Sequence, residues 1–162
     1  MDVQRERSFI EAVQDKRKAM WRVAYSILKS EAEAEDAVSA AVENTWRNLY
    51  RLRSLEALPV YLMKSTINAA KREWRRRKRM TFSENFDAYL PPVEAENGDI
   101  TDYLNELDEK YRLPLLLKFG ENLLETEIAQ VLGLPRGTIS SRISRGLDML
   151  RRGMEKEDSR HD

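Results

Sequence analysis

Residues 126–152, TEIAQVLGLPRGTISSRISRGLDMLRR, decide how the chain is read. Ile128, Val131 and Leu132 fall on one side of a short helix, and Gly133 follows directly, where a helix end favours positive φ. Pro135 opens a new element with its φ already fixed, as proline does in a first helical turn. Ile139, Ile143, Leu147 and Leu150 then recur at helical intervals and build a second apolar stripe. Ala129 is small where the two helices would cross. Two helices joined by so tight a turn form a helix-turn-helix, whose second helix enters the DNA major groove. The outward face of that helix carries Arg136, Thr138, Ser140, Ser141, Ser144 and Arg145, side chains suited to base edges and phosphates. The same pattern also fits an ordinary αα-hairpin with a solvated basic face, so the rest of the chain decides.

At 162 residues the chain holds one domain or two small ones, and 41% hydrophobic with 35% charged residues describes a charge-rich globular protein. The absence of cysteine excludes disulfides and thiolate zinc sites, and the only histidine, His161, stands next to last in a polar segment. No metal site, cofactor or histidine-centred catalytic group is expected. The N-terminal MDVQRERSF lacks the apolar core of a signal peptide and no apolar run is long enough to span a bilayer, so a cytoplasmic location is expected.

Net charge is zero, from 28 basic and 28 acidic residues, yet the charges are segregated. Residues 64–79 hold Lys64, Lys71, Arg72, Arg75, Arg76, Arg77, Lys78 and Arg79 against the single acid Glu73. Residues 81–109 contain nine acids and no base. Such separation implies a basic surface with an anionic partner and an acidic connector. An enzyme acting on nucleic acid would need clustered carboxylates in a basic cleft. Here the densest acids lie in the connector or in a helix's first turn, away from the arginine cluster, so no enzymatic activity is expected.

Residues 2–28 read as one amphipathic helix with Phe9, Val13, Met20, Ala24 and Ile27 or Leu28 on its buried side. After a break at Lys29, Ser30 as N-cap and Glu33 at the third position form a capping-box pattern. The next helix, residues 31–51, is expected to bury Ala34, Ala37 or Val38, Ala41 or Val42, Trp46 and Leu49. A loop over residues 51–58 leads to Pro59, which opens a third helix over residues 60–79 with Leu62, Met63, Ile67, Ala70 and Trp74 as its apolar side. Six residues, WRRRKR, end it with positive charge all round, which points to an anionic partner, nucleic acid ahead of a membrane surface, with a plain solvated tip as the other reading.

Residues 81–98 show no helical period and read as a flexible linker, with Phe82, Phe86 and Tyr89 able to dock on a surface. Helical signal returns at Ile100: Leu104 and Leu107 in one short helix, then residues 113–119 in a second, with Pro114 tolerable only in its first turn. The expectation is an all-α fold of two small helical modules: residues 1–80, an acidic linker 81–99, residues 100–155, and a polar tail 156–162.

Ala34, Glu35 and Asp36, with Val38 and then Trp46, resemble the AED…W core of region 2 in bacterial sigma factors. Residues 63–68 and the cation cluster after them resemble the helix that follows in that region and ends in the same kind of arginine run. In the second module, Tyr111 and Arg112, residues 115–117, Glu127, Ile128, Ala129, Leu132, Gly133, Gly137, Thr138, Ile139, Ser141, Arg142 and Arg145 resemble sigma region 4. Short length and the lack of other regions are similar to the extracytoplasmic-function group, and the resemblance covers about residues 9–152.

That resemblance implies an alternative sigma factor: binding to core RNA polymerase, at the clamp helices of its largest subunit and at the flap, and delivery to particular promoters under an envelope or environmental stress signal. It also implies an anti-sigma partner, often membrane-anchored, and no small-molecule substrate. Asp36 and Glu43 fall on the polymerase-facing helix. Arg51 and Arg53, in the 51–58 loop, and Asn68 fall where the family captures a flipped base of the minus-ten element, with Lys71, Arg72, Arg75, Arg76 and Arg77 on phosphates nearby. Thr138, Ser140, Ser141, Ser144 and Arg145 fall where region 4 reads the minus-thirty-five element, and Arg136 and Arg142 where it meets phosphate. The chain departs from the family at Ser39 and Ala40, often Gln-Glu, and at Arg72, commonly Asp. Pro135 replaces the serine that often caps the recognition helix, and Ser140 replaces a longer basic side chain, so base preference does not transfer. A stand-alone helix-turn-helix regulator, binding an operator as a dimer, is the alternative.

Overall fold

A computed structural model describes residues 2–84 and 100–161. The chain divides into two compact units, Met1–Leu90 and Pro91–Asp162, and every described secondary-structure element is helical.

The first unit is a three-helix bundle. α1, Val3–Leu28, starts where the Asp2 carboxylate accepts the Gln4 N–H at 3.1 Å. It ends at Lys29, whose left-handed φ of 55° lets its N–H reach the Tyr25 carbonyl at 2.8 Å. Ser30 then caps α2, Glu31–Arg47, by accepting the Glu33 N–H. The reciprocal half of the expected capping box is absent from the described bonds, because the Glu33 carboxylate pairs with Arg77 instead. Two 3₁₀ turns, Leu49–Arg51 and Leu55–Ala57, lead into α3, Leu58–Glu84, with Pro59 in its first turn. The three helices pack on one another around Met20, Val38, Ala41 and Leu62, while Phe9, Leu49 and Leu58 close the end of the bundle beside the 3₁₀ turns. Burying each of the larger of these side chains contributes about 1.5–3 kcal/mol.

Several expectations are corrected here. α2 stops at Arg47, and Trp46 is 46% exposed rather than buried. Thr45 takes the inward position one residue earlier, its hydroxyl donating to the Ala41 carbonyl at 2.8 Å, and Trp46 lies along α1 against Phe9 with ring centroids 5.2 Å apart. Trp74 is also exposed, with Lys78 Nζ 4.8 Å from its ring centroid. One turn further on, the α3 residue that meets the end of α1 and the start of α2 is Arg77, so the inward side there is polar rather than apolar. α3 continues past Arg79 to Glu84, so residues 81–84 belong to the helix and not to the linker. The remainder of the linker, with Phe86 and Tyr89, lies outside the described residues.

The second unit comprises α4, Ile100–Glu106, α5, Glu109–Leu115, a π-helical turn at Leu116–Gly120, α6, Glu125–Leu132, and α7, Arg136–His161. Helices α4, α5 and α6 all pack on α7. Pro114 sits inside α5 near its end, not in the first turn as expected. It has no N–H to give the preceding turn, and the chain widens just beyond it: Glu121 N–H bonds the Leu116 carbonyl at 3.1 Å, five residues back. α6 ends at Gly133 with φ 67°, as its place after the apolar stripe predicts.

The α7 stripe is Ile139, Ile143, Gly146 and Leu150; Leu147, expected inside, is 38% exposed. α7 approaches α5 so closely at Gly146 that no larger residue shares the buried line there. α7 also runs on to His161, so the segment expected as a polar tail is helical as far as that residue. Tyr103 of α4 hydrogen-bonds Glu157 near the end of this extension, and that bond pushes the phenol up to about 12.

Candidate nucleic-acid interface

In the first unit, helical geometry sorts the cation cluster into two sets. Lys64, Asn68, Arg72, Arg75 and Arg79 recur at three- and four-residue steps and are all exposed, forming one polar, largely cationic stripe along α3. Arg76 and Arg77 are instead engaged by carboxylates of the same unit, Arg76 on the surface and Arg77 partly buried. Arg76 Nη2 pairs with Glu73 Oε1 at 2.6 Å, and the Glu73 hydrogen bond raises the guanidinium above its ordinary value. Arg77 donates to the Leu28 carbonyl at 3.0 Å and to Glu33 at 3.3 Å, and burial lowers its guanidinium below the ordinary value. Lys71 is half-buried.

The loop between α2 and α3 is shaped by a residue that sequence reading passed over. Arg5 Nη1 donates to the carbonyls of Leu49 at 3.1 Å and Leu52 at 3.2 Å, and the Ser54 hydroxyl accepts the Glu56 N–H. This clamp leaves Arg51 and Arg53 exposed on either side of Leu52. Arg5 lies 44 residues from its first partner, a separation that carries no local pattern. Asn44 Nδ2, donating to Ser65 Oγ at 3.2 Å, ties α2 to α3 close to Asn68. Asp36 and Glu43 are both exposed on α2, with Glu43 paired to Arg47.

In the second unit α6 and α7 form the helix-turn-helix. Leu124 has no side-chain oxygen to cap α6; Glu127 reaches back instead and accepts the Leu124 N–H at 2.9 Å. The Pro135 carbonyl accepts from Thr138 and Ile139 and starts α7 without a side-chain cap. Arg136, Ser141, Ser144 and Arg145 are exposed on α7, while Thr138, Ser140 and Arg142 are half-buried. The Ser140 hydroxyl donates to Glu125 Oε2 at 2.6 Å, and Lys118 Nζ donates to Glu125 Oε1 at 2.9 Å. These bonds, Ser140 first, hold the Glu125 carboxyl below its ordinary value. Glu125 therefore joins the π-helical turn, α6 and α7, a role its sequence gives no sign of. Arg112 braces the same unit by donating to the Leu107 carbonyl at 2.9 Å, with burial lowering its guanidinium below the ordinary value.

Among the described residues no group of three or more His, Cys, Asp or Glu is placed to hold a metal ion, and no helix is long and apolar enough to cross a membrane. The surfaces on offer are two cationic or hydroxyl-bearing helix faces, one per unit, and an acidic face on α2.

Comparison with known proteins matches both units. The family profile for Sigma-70 region 2 matches residues 12–80, and that for Sigma-70, region 4, matches residues 97–150. RNA polymerase sigma factor SigV of Bacillus subtilis is 24% identical over 153 residues, covering 92% of this chain and 92% of its own. The RNA polymerase sigma-E factor of Streptomyces coelicolor is 27% identical over 158 residues, covering 93% of this chain and 88% of its own. Among solved structures, the sigma factor RpoE in complex with the anti-sigma factor NepR, from Bartonella quintana, shares the fold with a TM-score of 0.77 at 22% identity, over 91% of this chain and 96% of that one. CnrH in complex with the cytosolic domain of CnrY does so with a TM-score of 0.70 at 20% identity, over 93% and 90%.

Proposed function

We propose, since this chain belongs to the extracytoplasmic-function group of the sigma-70 family, that it is an alternative sigma factor that binds core RNA polymerase and directs it to particular promoters. The observation that carries the reading is the pairing of two helix faces on two separate units. One is the exposed Asn68, Arg72, Arg75 and Arg79 stripe within the region 2 match; the other is the exposed Arg136, Ser141, Ser144 and Arg145 face within the region 4 match.

In this reading α3 and the clamped loop with Arg51 and Arg53 take the minus-ten element. Asn68 sits beside the captured base, and the α3 cations lie along the non-template phosphates. α7 takes the minus-thirty-five element. Arg145, Ser141 and Ser144 reach base edges and Arg136 and Arg142 reach phosphate, while Ser140 reads DNA only if it leaves Glu125. Asp36 and Glu43 on α2 face the polymerase. The protein acts in the cytoplasm, supplies no catalytic group of its own, and is held inactive by an anti-sigma protein until a stress signal releases it. The similar fold RpoE was solved in complex with the anti-sigma factor NepR, and CnrH in complex with the cytosolic domain of CnrY.

The test is transcription by core RNA polymerase on a promoter library with and without the protein. New transcripts from a defined promoter class are expected. No new transcripts, together with a palindromic duplex shifted by the protein alone, would replace this reading with an operator-binding regulator.

A further inference from the structure

Arg77, in the α3 cluster, ties its own helix to the other two of the first unit. Its Nη1 donates to the carbonyl of Leu28, the last residue of α1, at 3.0 Å, and its Nε donates to Glu33 Oε1, in the first turn of α2, at 3.3 Å. Its Nη2 pairs with the other Glu33 oxygen. The two side chains are only 20% and 28% exposed. A planar fork can serve a carbonyl and a carboxylate at once; a lysine ammonium cannot reproduce that geometry.

We propose that Arg77 is a positioning residue for promoter binding, held by Glu33 and the Leu28 carbonyl so that α3 turns its exposed stripe of Asn68, Arg72, Arg75 and Arg79 toward DNA. The inference rests on the sigma-factor reading above and deepens it. Residues two apart on an α-helix point about 200° apart, so fixing Arg77 inward sets the outward direction of Arg75 and Arg79 on either side of it. Turning Arg77 out to a phosphate would instead leave the Glu33 carboxylate partly buried without its counter-charge, a costly arrangement. Because Glu33 lies one turn before Asp36 on α2, the same tie connects the helix assigned to polymerase with the helix assigned to the minus-ten element.

The test uses full-length Glu33→Gln, Arg77→Gln and Arg77→Lys variants in holoenzyme with core polymerase, on a promoter the wild type opens. Open-complex formation is read by permanganate reactivity at several salt concentrations, at a temperature where circular dichroism shows each variant folded. Glu33→Gln should lower opening about five-fold or more, although it removes a negative charge close to the DNA-facing helix. Arg77→Gln should match it, the double variant should be no worse than either, and Arg77→Lys should rescue little. The salt slope should stay that of the wild type.

Opening by Glu33→Gln equal to or above the wild type, with a slope reduced by roughly 0.7–0.9 in Arg77→Gln, would make Arg77 a phosphate contact and overturn the proposal. Normal opening by both variants, with only a lowered melting temperature, would overturn it as well, leaving a structural tie. A wild type that opens no promoter with core polymerase would overturn the sigma reading itself, and the role given to Arg77 with it. An active wild type beside unaffected variants removes the role alone.

Discussion

A β-carbon on Gly146 would stand 2.7 Å from Leu115 Cδ1 and 3.3 Å from its Cγ, so α5 and α7 meet at a point where only hydrogen fits. Leu115 is 2% exposed and has no solvent to move into. Gly146→Ala should gain up to about 1 kcal/mol of helix propensity and lose about 1–3 kcal/mol to overpacking. The net expectation is a less stable second unit, by about 1 kcal/mol. Denaturant melts of Gly146→Ala, Leu115→Val and the double variant check it: the double variant should be more stable than the sum of the singles predicts.

Ser140 and Glu125 set a pH dependence on the acid side. The Glu125 carboxyl is depressed from 4.5, chiefly by the Ser140 hydroxyl and then by Lys118. Its contribution to stability is therefore present above pH 4.5 and lost as pH falls through the depressed value. Ser140→Ala should bring the carboxyl back toward its ordinary value and move acid unfolding of the second unit to higher pH. Circular dichroism against pH measures the midpoint.

Tyr103 sets the opposite limit. Its phenol is raised from 10.0 to about 12, first by the Glu157 hydrogen bond, so the stabilisation it brings is complete below pH 10 and disappears as pH rises toward 12. In a phenolate absorbance titration, Tyr103→Phe should remove a step near pH 12. Amides of α7 beyond Gly153 should also exchange faster in that variant, since the bond joins α4 to that last stretch.

Arg145 is exposed on α7 and is assigned to a base edge. Arg145→Ala should weaken promoter recognition by about 1–3 kcal/mol and relax preference at one or two upstream positions. Selection from a randomised minus-thirty-five element by the holoenzyme checks this. An equal loss on every sequence would place Arg145 on phosphate instead.

Arg72, Arg75 and Arg79 share the exposed α3 stripe. Replacing each by Gln should flatten the salt dependence of promoter binding by roughly 0.7–0.9 per lost phosphate contact. Arg76→Gln should change the slope less, because Arg76 already pairs with Glu73 at 2.6 Å on the same helix.

Local chemistry determined much of this protein. The Ser30 cap, Pro59 at the start of α3, Gly133 at φ 67° and the Ile128, Val131, Ile139 and Ile143 stripes follow from propensity and period alone, and they specify the helices and the helix-turn-helix. Segregated charge along the chain marked the basic helix.

Which side of a helix faces in at its ends was decided only by tertiary packing. Thr45 displaced Trp46 because the bundle has a slot for a small residue there, with a carbonyl within reach of its hydroxyl. Gly146 displaced Leu147 because α5 passes too close. Arg77, indistinguishable from its neighbours in WRRRKR, turned inward because helix termini distant in sequence place a carbonyl and a carboxylate beside it. Periodicity records how a helix repeats; what stands opposite each turn comes from residues 44 or 49 positions away, as for Glu33 and Leu28 against Arg77, and only the folded chain brings them together.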